Sequence, residues 1–138
     1  MPIAREVMQT NLVTIPVNST VEDAVRVLME HGISGAPVVD GQGELVGIVS
    51  ELQFLEAVYT PEIMSHRLER FITRDVLTVT EETALAEVTN ILVLQRIRRV
   101  PVTREGRLAG IITRRDLLRF AMETRQRNRD EVESLTSA

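Results

Sequence analysis

The chain has 138 residues, 43% of them hydrophobic, and a formal net charge of −4. That length and apolar content suit one compact unit with a buried core, and the acidic balance argues against a protein that coats nucleic acid, which needs a net basic face, though local basic patches survive that argument. No cysteine is present and all 16 basic residues are arginine, which excludes a disulfide framework, a thiol nucleophile, a zinc knuckle and lysine Schiff-base chemistry.

At the start, "MPIAREVMQT" puts Arg5 and Glu6 where a signal peptide would be apolar, and no apolar run reaches the roughly 18–20 residues of a spanning helix. The expectation is a cytoplasmic protein without membrane insertion. Leu12–Val17 is a β-branched run that predicts a strand. Ser19 follows as a helix N-cap, with Glu22 three residues on to complete a capping box. Val21, Ala24, Val25, Leu28 and Met29 recur at helical spacing and predict one buried stripe. The stretch "APVVDGQGELVGIVS" is two apolar runs around a glycine-containing turn, a β-hairpin, after which Ser50 caps a helix over Leu52–Val58.

"YTPEIMSHRLERF" then joins this unit to the next, with Pro61 as a helix-start candidate. The same order of elements returns: a strand at Val76–Thr80, Thr83 as N-cap, and a stripe of Leu85, Val88, Ile91 and Leu92. A hairpin "VPVTREGRLAGIIT" follows, and Thr113 opens a helix over Leu117–Met122. The end, "ETRQRNRDEVESLTSA", carries charge without a sustained apolar stripe and frays or extends the last helix into solvent. The expected division is residues 1–60, a linker or helix at 61–70, a second unit at 71–123 and a polar tail at 124–138.

The two units are copies. "LVTIPVNSTVEDAVRVLMEHGISGAPVV" aligns without a gap on "VLTVTEETALAEVTNILVLQRIRRVPVT", so that Thr14 falls on Thr78, Ser19 on Thr83 and Pro37 on Pro101, each 64 positions on. One deletion in the hairpin turn then sets "GIVSELQF" on "GIITRRDL", 63 positions apart, with Gln53 facing Asp116 in the alignment. A half of about 60 residues buries only about 60% of its unfolded surface, so the halves are expected to pack together.

A hydrophobic–Pro–hydrophobic strand, a hairpin, a Gly–hydrophobic–hydrophobic–Ser/Thr–x–x–Asp strand end and a leading capped helix, all present twice, resemble a tandem pair of cystathionine-β-synthase (CBS) domains over Ala4–Met122. The resemblance implies an α/β (α+β) fold of two β-α-β-β-α motifs related by pseudo-twofold symmetry, a Bateman module. It also implies pairing of two modules into a disc of four motifs, a homodimer. Such modules bind adenine nucleotides (AMP, ADP, ATP) or S-adenosyl compounds such as S-adenosylmethionine in clefts between the halves.

Carried over residue by residue, the resemblance places the preferred cleft at Thr113 and Asp116 with Thr10, Leu12, Ile33, Ser34, Ala36 and Pro37. The second cleft would combine Ser50 and Gln53 with Arg74, Val76, Arg98, Val100 and Pro101. A carboxylate accepts from both vicinal ribose hydroxyls whereas an amide accepts through one oxygen, and hydrogen bonds to charge contribute about 1.5–3 kcal/mol against about 0.5–1.5. Asp116 is therefore the better ribose clamp. Arg98 and Arg99 stand where the first copy has Ser34 and Gly35, and they either grip a polyphosphate or fill the second cleft, which is expected to be empty or weakened.

Ser34 beside Gly35 is not a nucleophile elbow and has no matching histidine, so no enzymatic activity, catalytic residue or catalytic cofactor is expected. His31 and His66 give no metal-ligand pattern. The basic run "LQRIRRVPVTREGR" lacks stacking aromatics, which argues against nucleic acid. Two functions compete. One is a regulatory module that binds an adenosine-containing small molecule and signals through its dimer or to a regulated protein. The other is a ligand-independent dimerisation or adaptor module with vestigial clefts, built on Leu52, Phe54, Leu55, Leu117, Leu118 and Phe120.

Overall fold

In the computed structural model, residues 1–136 are described. They form two three-stranded sheets with helices packed on them, a mixed α+β fold in which the second half repeats the first. In the first half, β1 (Ile15–Pro16) runs parallel to β2 (Gly35–Val39), which pairs antiparallel with β3 (Leu45–Ser50). Helix α1 (Val21–His31) connects β1 to β2, and α2 (Glu51–Phe54) follows β3, continuing as a 3-10 turn at Leu55–Val58. In the second half β4 (Val79–Thr80), β5 (Arg99–Arg104) and β6 (Arg107–Thr113) repeat the order, with α3 (Leu85–Leu94) between β4 and β5. Helix α4 (Arg114–Thr136) takes up residues 124–136 of the expected tail, and residues 137 and 138 lie outside the described residues.

Both hairpins form as their apolar runs require, and each shifts register at the same place, Val38/Val39 and Val102/Thr103. Strand pairing is shorter than expected at Leu12–Val17 and Val76–Thr80. Only Ile15–Pro16 and Val79–Thr80 reach the sheet, because Leu12, Val13, Val76 and Leu77 leave it to line cavities.

The helix caps also differ from expectation by one residue. Thr20, not Ser19, caps α1: its Oγ1 accepts from Asp23 N at 3.2 Å while Asp23 Oδ2 accepts from Thr20 N at 3.1 Å. These bonds hold the Asp23 carboxyl below the usual carboxylate range. In the second copy the N-cap is Ala84, which has no side chain to cap with, and Thr83 Oγ1 instead accepts from Thr80 N at 3.0 Å. The first amide of α3, Leu85 N, donates to Pro2 O at 3.0 Å. On α1, Val21, Ala24 and Leu28 are buried and Val25 is half-buried, but Met29 at the last turn is 74% exposed and leaves the predicted stripe.

The Pro2 contact belongs to a crossed arrangement. The first core, built on Ile15, Val21, Leu28, Val38 and Val49, is completed by Ile63 and Leu68 from the 3-10 turns of the connecting segment (Pro61–Ser65 and Leu68–Phe71). The second core, built on Val79, Leu85, Val88, Val100 and Ile112, is completed by Ala4 from the N-terminal segment. Thus residues that precede one unit in sequence complete the other in space. The backbone bonds match: Ile48 and Thr73 exchange two bonds of 2.9 Å, while Gln9 and Ile111 exchange bonds of 2.8 and 3.0 Å.

Gly47 and Gly110 make these crossings possible. A Cβ at Gly47 would collide with Thr73 O and Ile72, and one at Gly110 with Met8 and with Gln9 O at 2.9 Å. The hairpin tips meet as well, Leu108 N donating to Gly43 O at 3.1 Å, so the halves form one body.

Leu68 is fully buried in the opposite unit's core whereas Met29 packs on little. Leu68→Ala is expected to lower unfolding stability by about 2–5 kcal/mol in urea titration, and Met29→Ala by no more than about 0.5 kcal/mol. Equal losses would mean that the connecting segment does not complete the first core.

Candidate functional site

The repeated corner at which a hairpin strand turns into a helix supplies the polar groups. At the end of β6, Thr113 N donates to Asp116 Oδ2 at 2.8 Å, and Asp116 N donates to Thr113 Oγ1 at 3.2 Å, a reciprocal cap for α4. Thr113 Oγ1 donates to the same carboxylate oxygen at 2.9 Å. The other oxygen, Oδ1, accepts from Gln9 Nε2 at 2.7 Å and from Arg119 Nη1 at 3.2 Å. With its side chain only 2% exposed, Asp116 is a buried charge that four donors satisfy.

At the end of β3 the equivalent corner has Ser50 N donating to Gln53 Oε1 at 2.8 Å, and Gln53 Nε2 donating to Thr73 Oγ1 at 2.8 Å. Thr73 is 64 positions after Gln9. In both copies the third helical residue therefore caps its helix and ties down the crossing segment. The polarity of the tie is reversed: Asp116 accepts from an amide, whereas Gln53 donates to a hydroxyl.

A cavity of about 460 Å³ opens beside the Thr113 corner, between the halves. Of the residues assigned to the preferred cleft, Thr113, Leu12, Ile33, Ser34 and Pro37 line it. Asp116, Thr10 and Ala36 do not: Asp116 is bonded behind the Gln9 amide, Thr10 is exposed, and Ala36 is buried in the first core. Gln9, Asn11, Val13 and the arginines Arg98, Arg99, Arg114 and Arg115 complete the lining together with Gly32, Gly35 and Ile111. A second cavity of about 550 Å³ lies at the Ser50 corner. Ser50, Gln53, Val76 and Arg98 line it as expected, joined by Ile48, Thr73, Asp75, Leu77, Gln95, Ile97 and Arg99. Arg74 is exposed away from it, and Val100 and Pro101 are buried. Arg98 and Arg99 do not fill this cavity, which is the larger of the two.

Arg99 occupies the space beside Gly35 at the edge of the first cavity. Its Nη2 donates to Ser34 Oγ at 2.6 Å, and its guanidinium lies where a Cβ on Gly35 would sit. Burial is the main cause that pushes the Arg99 guanidinium below its ordinary range, Arg98 adds to this, and Glu51 opposes it. Arg99 and Gly35 are equivalent positions of the two copies, so the largest side chain at this point of the repeat is matched to the absence of one. That pairing was a signal in the sequence. The approach of Gln9 to Asp116, 107 positions apart, left no local sign.

Comparison with known proteins fits this architecture. The model of the CBS domain matches residues 4–60 and again 68–123. The chain is 31% identical over 116 residues to "Uncharacterized protein MJ1225" of Methanocaldococcus jannaschii, covering 84% of this chain but only 41% of that protein. Among solved structures it is similar to CBSX2 in complex with AMP (27% identity, TM-score 0.81, 89% of this chain and 98% of that one). It is also similar to the CBS domain pair of protein MJ0100 in complex with 5-methylthioadenosine and S-adenosyl-L-methionine (26% identity, TM-score 0.75, 89% and 98%). With both family segments matched and each folded as a sheet-and-helix unit with its cleft at the same corner, the chain belongs to the CBS-domain family as a tandem pair.

Proposed function

We propose that this chain is a regulatory module that binds an adenine nucleotide or an S-adenosyl compound between its two CBS motifs. The observation that carries the reading is the 460 Å³ cavity at the β6–α4 corner, within the size range of small-molecule sites, with Thr113 on its wall and the Asp116 carboxylate one amide behind. Support comes from CBSX2, whose structure holds AMP, and from the MJ0100 pair, which holds 5-methylthioadenosine and S-adenosyl-L-methionine.

The chemistry is an exchange of partners. Two vicinal ribose hydroxyls replace the Gln9 carboxamide on Asp116 Oδ1, while the apolar Leu12, Ile33 and Pro37 cover the base. Gln9 belongs to the segment that completes the second core, so a ligand that takes its place on Asp116 changes how the two halves are held. A ligand acts by preferring one setting of the halves over another, a population shift. The module is not an enzyme. It acts on a separate regulated protein in the cytoplasm, and among the described residues no helix is long and apolar enough to cross a membrane.

The module works as a homodimer. Leu52, Leu55, Val58 and Tyr59 of the first half and Leu118 and Met122 of the second are exposed and apolar, the surface by which two copies pair into a four-motif disc. Phe54, Leu117 and Phe120 take no part in it. Phe54 is buried in the first core, 5.9 Å from the Phe71 ring, and the other two pack on the second core. Leu52, Leu55 and Leu118 of this set are also named by the adaptor reading, so the ligand decides between the two.

In calorimetry at low salt, AMP, ADP or S-adenosylmethionine is expected to bind the intact chain. Asp116→Asn should weaken that binding by about tenfold or more and Gln53→Ala by less than about threefold, the difference between hydrogen bonds to a charged and to a neutral group. Gln9→Ala should tighten it, since the competitor for Asp116 is gone. No binding up to millimolar ligand, and no ligand-dependent rise in melting temperature, would leave the adaptor reading. In sedimentation velocity the chain should run as a dimer and Leu52→Glu/Leu118→Glu as a folded monomer; a dimer that persists in the double variant would place the interface elsewhere.

A further inference from the structure

Arg98 and Arg99 line both cavities, so one pair of cations stands on the wall between the two clefts. Arg114 and Arg115 add two more to the first cavity, whose lining contains no carboxylate, while Asp75 lines the second. None of these four arginines joins an ion pair within 4 Å among the described residues; the pairs that form are Arg5–Glu82, Arg26–Asp23, Arg104–Glu81 and Arg119–Asp116. Arg99 is bonded to the neutral Ser34 hydroxyl, and Arg114 Nε donates to Ile97 O at 3.0 Å. Like charges are thus gathered around open space: the bonds of Arg99 and Arg114 go to neutral acceptors, and Glu51, whose charge acts on Arg99, forms no ion pair with it within 4 Å. A guanidinium offers a planar fork of donors that fits phosphate oxygens, which is the chemistry this arrangement lacks.

We infer that Arg98 and Arg99 form a single anion hook shared by the two clefts, which grips the di- or triphosphate group of one ligand per chain. Once an anion in either cleft has taken both forks, the pair has no uncompensated charge to offer across the wall. A second anion then meets a neutralised pair in the first cavity, or the same pair together with Asp75 in the second. Occupation of one cleft by a phosphate-bearing ligand therefore weakens anion binding in the other, a negative coupling of the kind that typically reaches about 5–150-fold. The hook rests on the reading of the clefts as ligand sites, but not on the adenosine part of that ligand.

Inorganic pyrophosphate tests it without the ribose asymmetry between Asp116 and Gln53. Titrated into the intact chain at fixed ionic strength, pyrophosphate should bind with a stoichiometry of one per chain and raise the melting temperature above that in matched sodium chloride. Arg98→Gln/Arg99→Gln should lose at least tenfold in affinity, and Arg98→Gln alone, which changes an exposed side chain, at least threefold. Arg125→Gln/Arg127→Gln on the exposed part of α4 should change nothing. Two equal and independent sites, no response beyond salt, or equal losses from both double variants would overturn the hook. If pyrophosphate binds as expected but no adenine compound does, the nucleotide reading falls and the hook stands; if adenosine and AMP bind but pyrophosphate does not, the hook falls and the nucleotide reading stands.

Discussion

The structure depends on the exchange of segments between its halves. Residues 2–9 complete the second core and residues 63–73 the first, and both lie so close to a hairpin strand that Gly47 and Gly110 must lack side chains. Neither half has a closed core without the segment that sequence order assigns to the other. This follows from size: a unit of about 60 residues cannot bury enough apolar surface alone, and borrowing a buried leucine or alanine from across the seam supplies part of the shortfall. Two short repeats thereby become one body with a seam, and the seam is where the cavities open.

The third helical residue, a carboxylate in one copy and an amide in the other, acquires its meaning from that exchange. Asp116 and Gln53 both cap a helix, and both hold a crossing segment through their remaining polar atom. The partner changes with them, Gln9 for the carboxylate and Thr73 for the amide, so donor meets acceptor in each copy. Under the proposed function, the buried carboxylate trades one neutral donor, the Gln9 amide, for the two hydroxyls of a ribose. Gln53 brings a single neutral acceptor oxygen, already bonded to Ser50 N, against the two charged oxygens of Asp116.

Much of this was legible in the residues. The duplication, both hairpins, the stripes of α1 and α3 and the two strand-to-helix corners follow from periodicity, turn chemistry and the repeat. What was not legible depends on contacts between distant parts of the chain. Thr20 replaces Ser19 as N-cap because Ser19 O is used to accept from Leu68 N at 2.9 Å, and Ala84 can serve as an N-cap because Pro2 satisfies the first amide of α3. Phe54 reads as surface by its place on a short helix, but it packs against Phe71 of the connecting segment. In the site, Leu12, Ile33, Ser34, Pro37 and Thr113 meet as their family positions imply. Arg99 from the second unit and Gln9 from the crossing N-terminal segment also enter it, a placement that only the arrangement of the two units determines.

The account is tested most directly by the side-chain amide of Gln9. With glutamine side chains labelled with nitrogen-15 and the Gln9 and Gln53 signals assigned by substitution, AMP is added to the intact chain. Displacement of Gln9 from Asp116 predicts that the Gln9 amide pair shifts and loses its protection from solvent exchange as AMP saturates the protein, while the Gln53 pair moves little. Binding of AMP that leaves the Gln9 pair in place, or that moves both pairs equally, would contradict it.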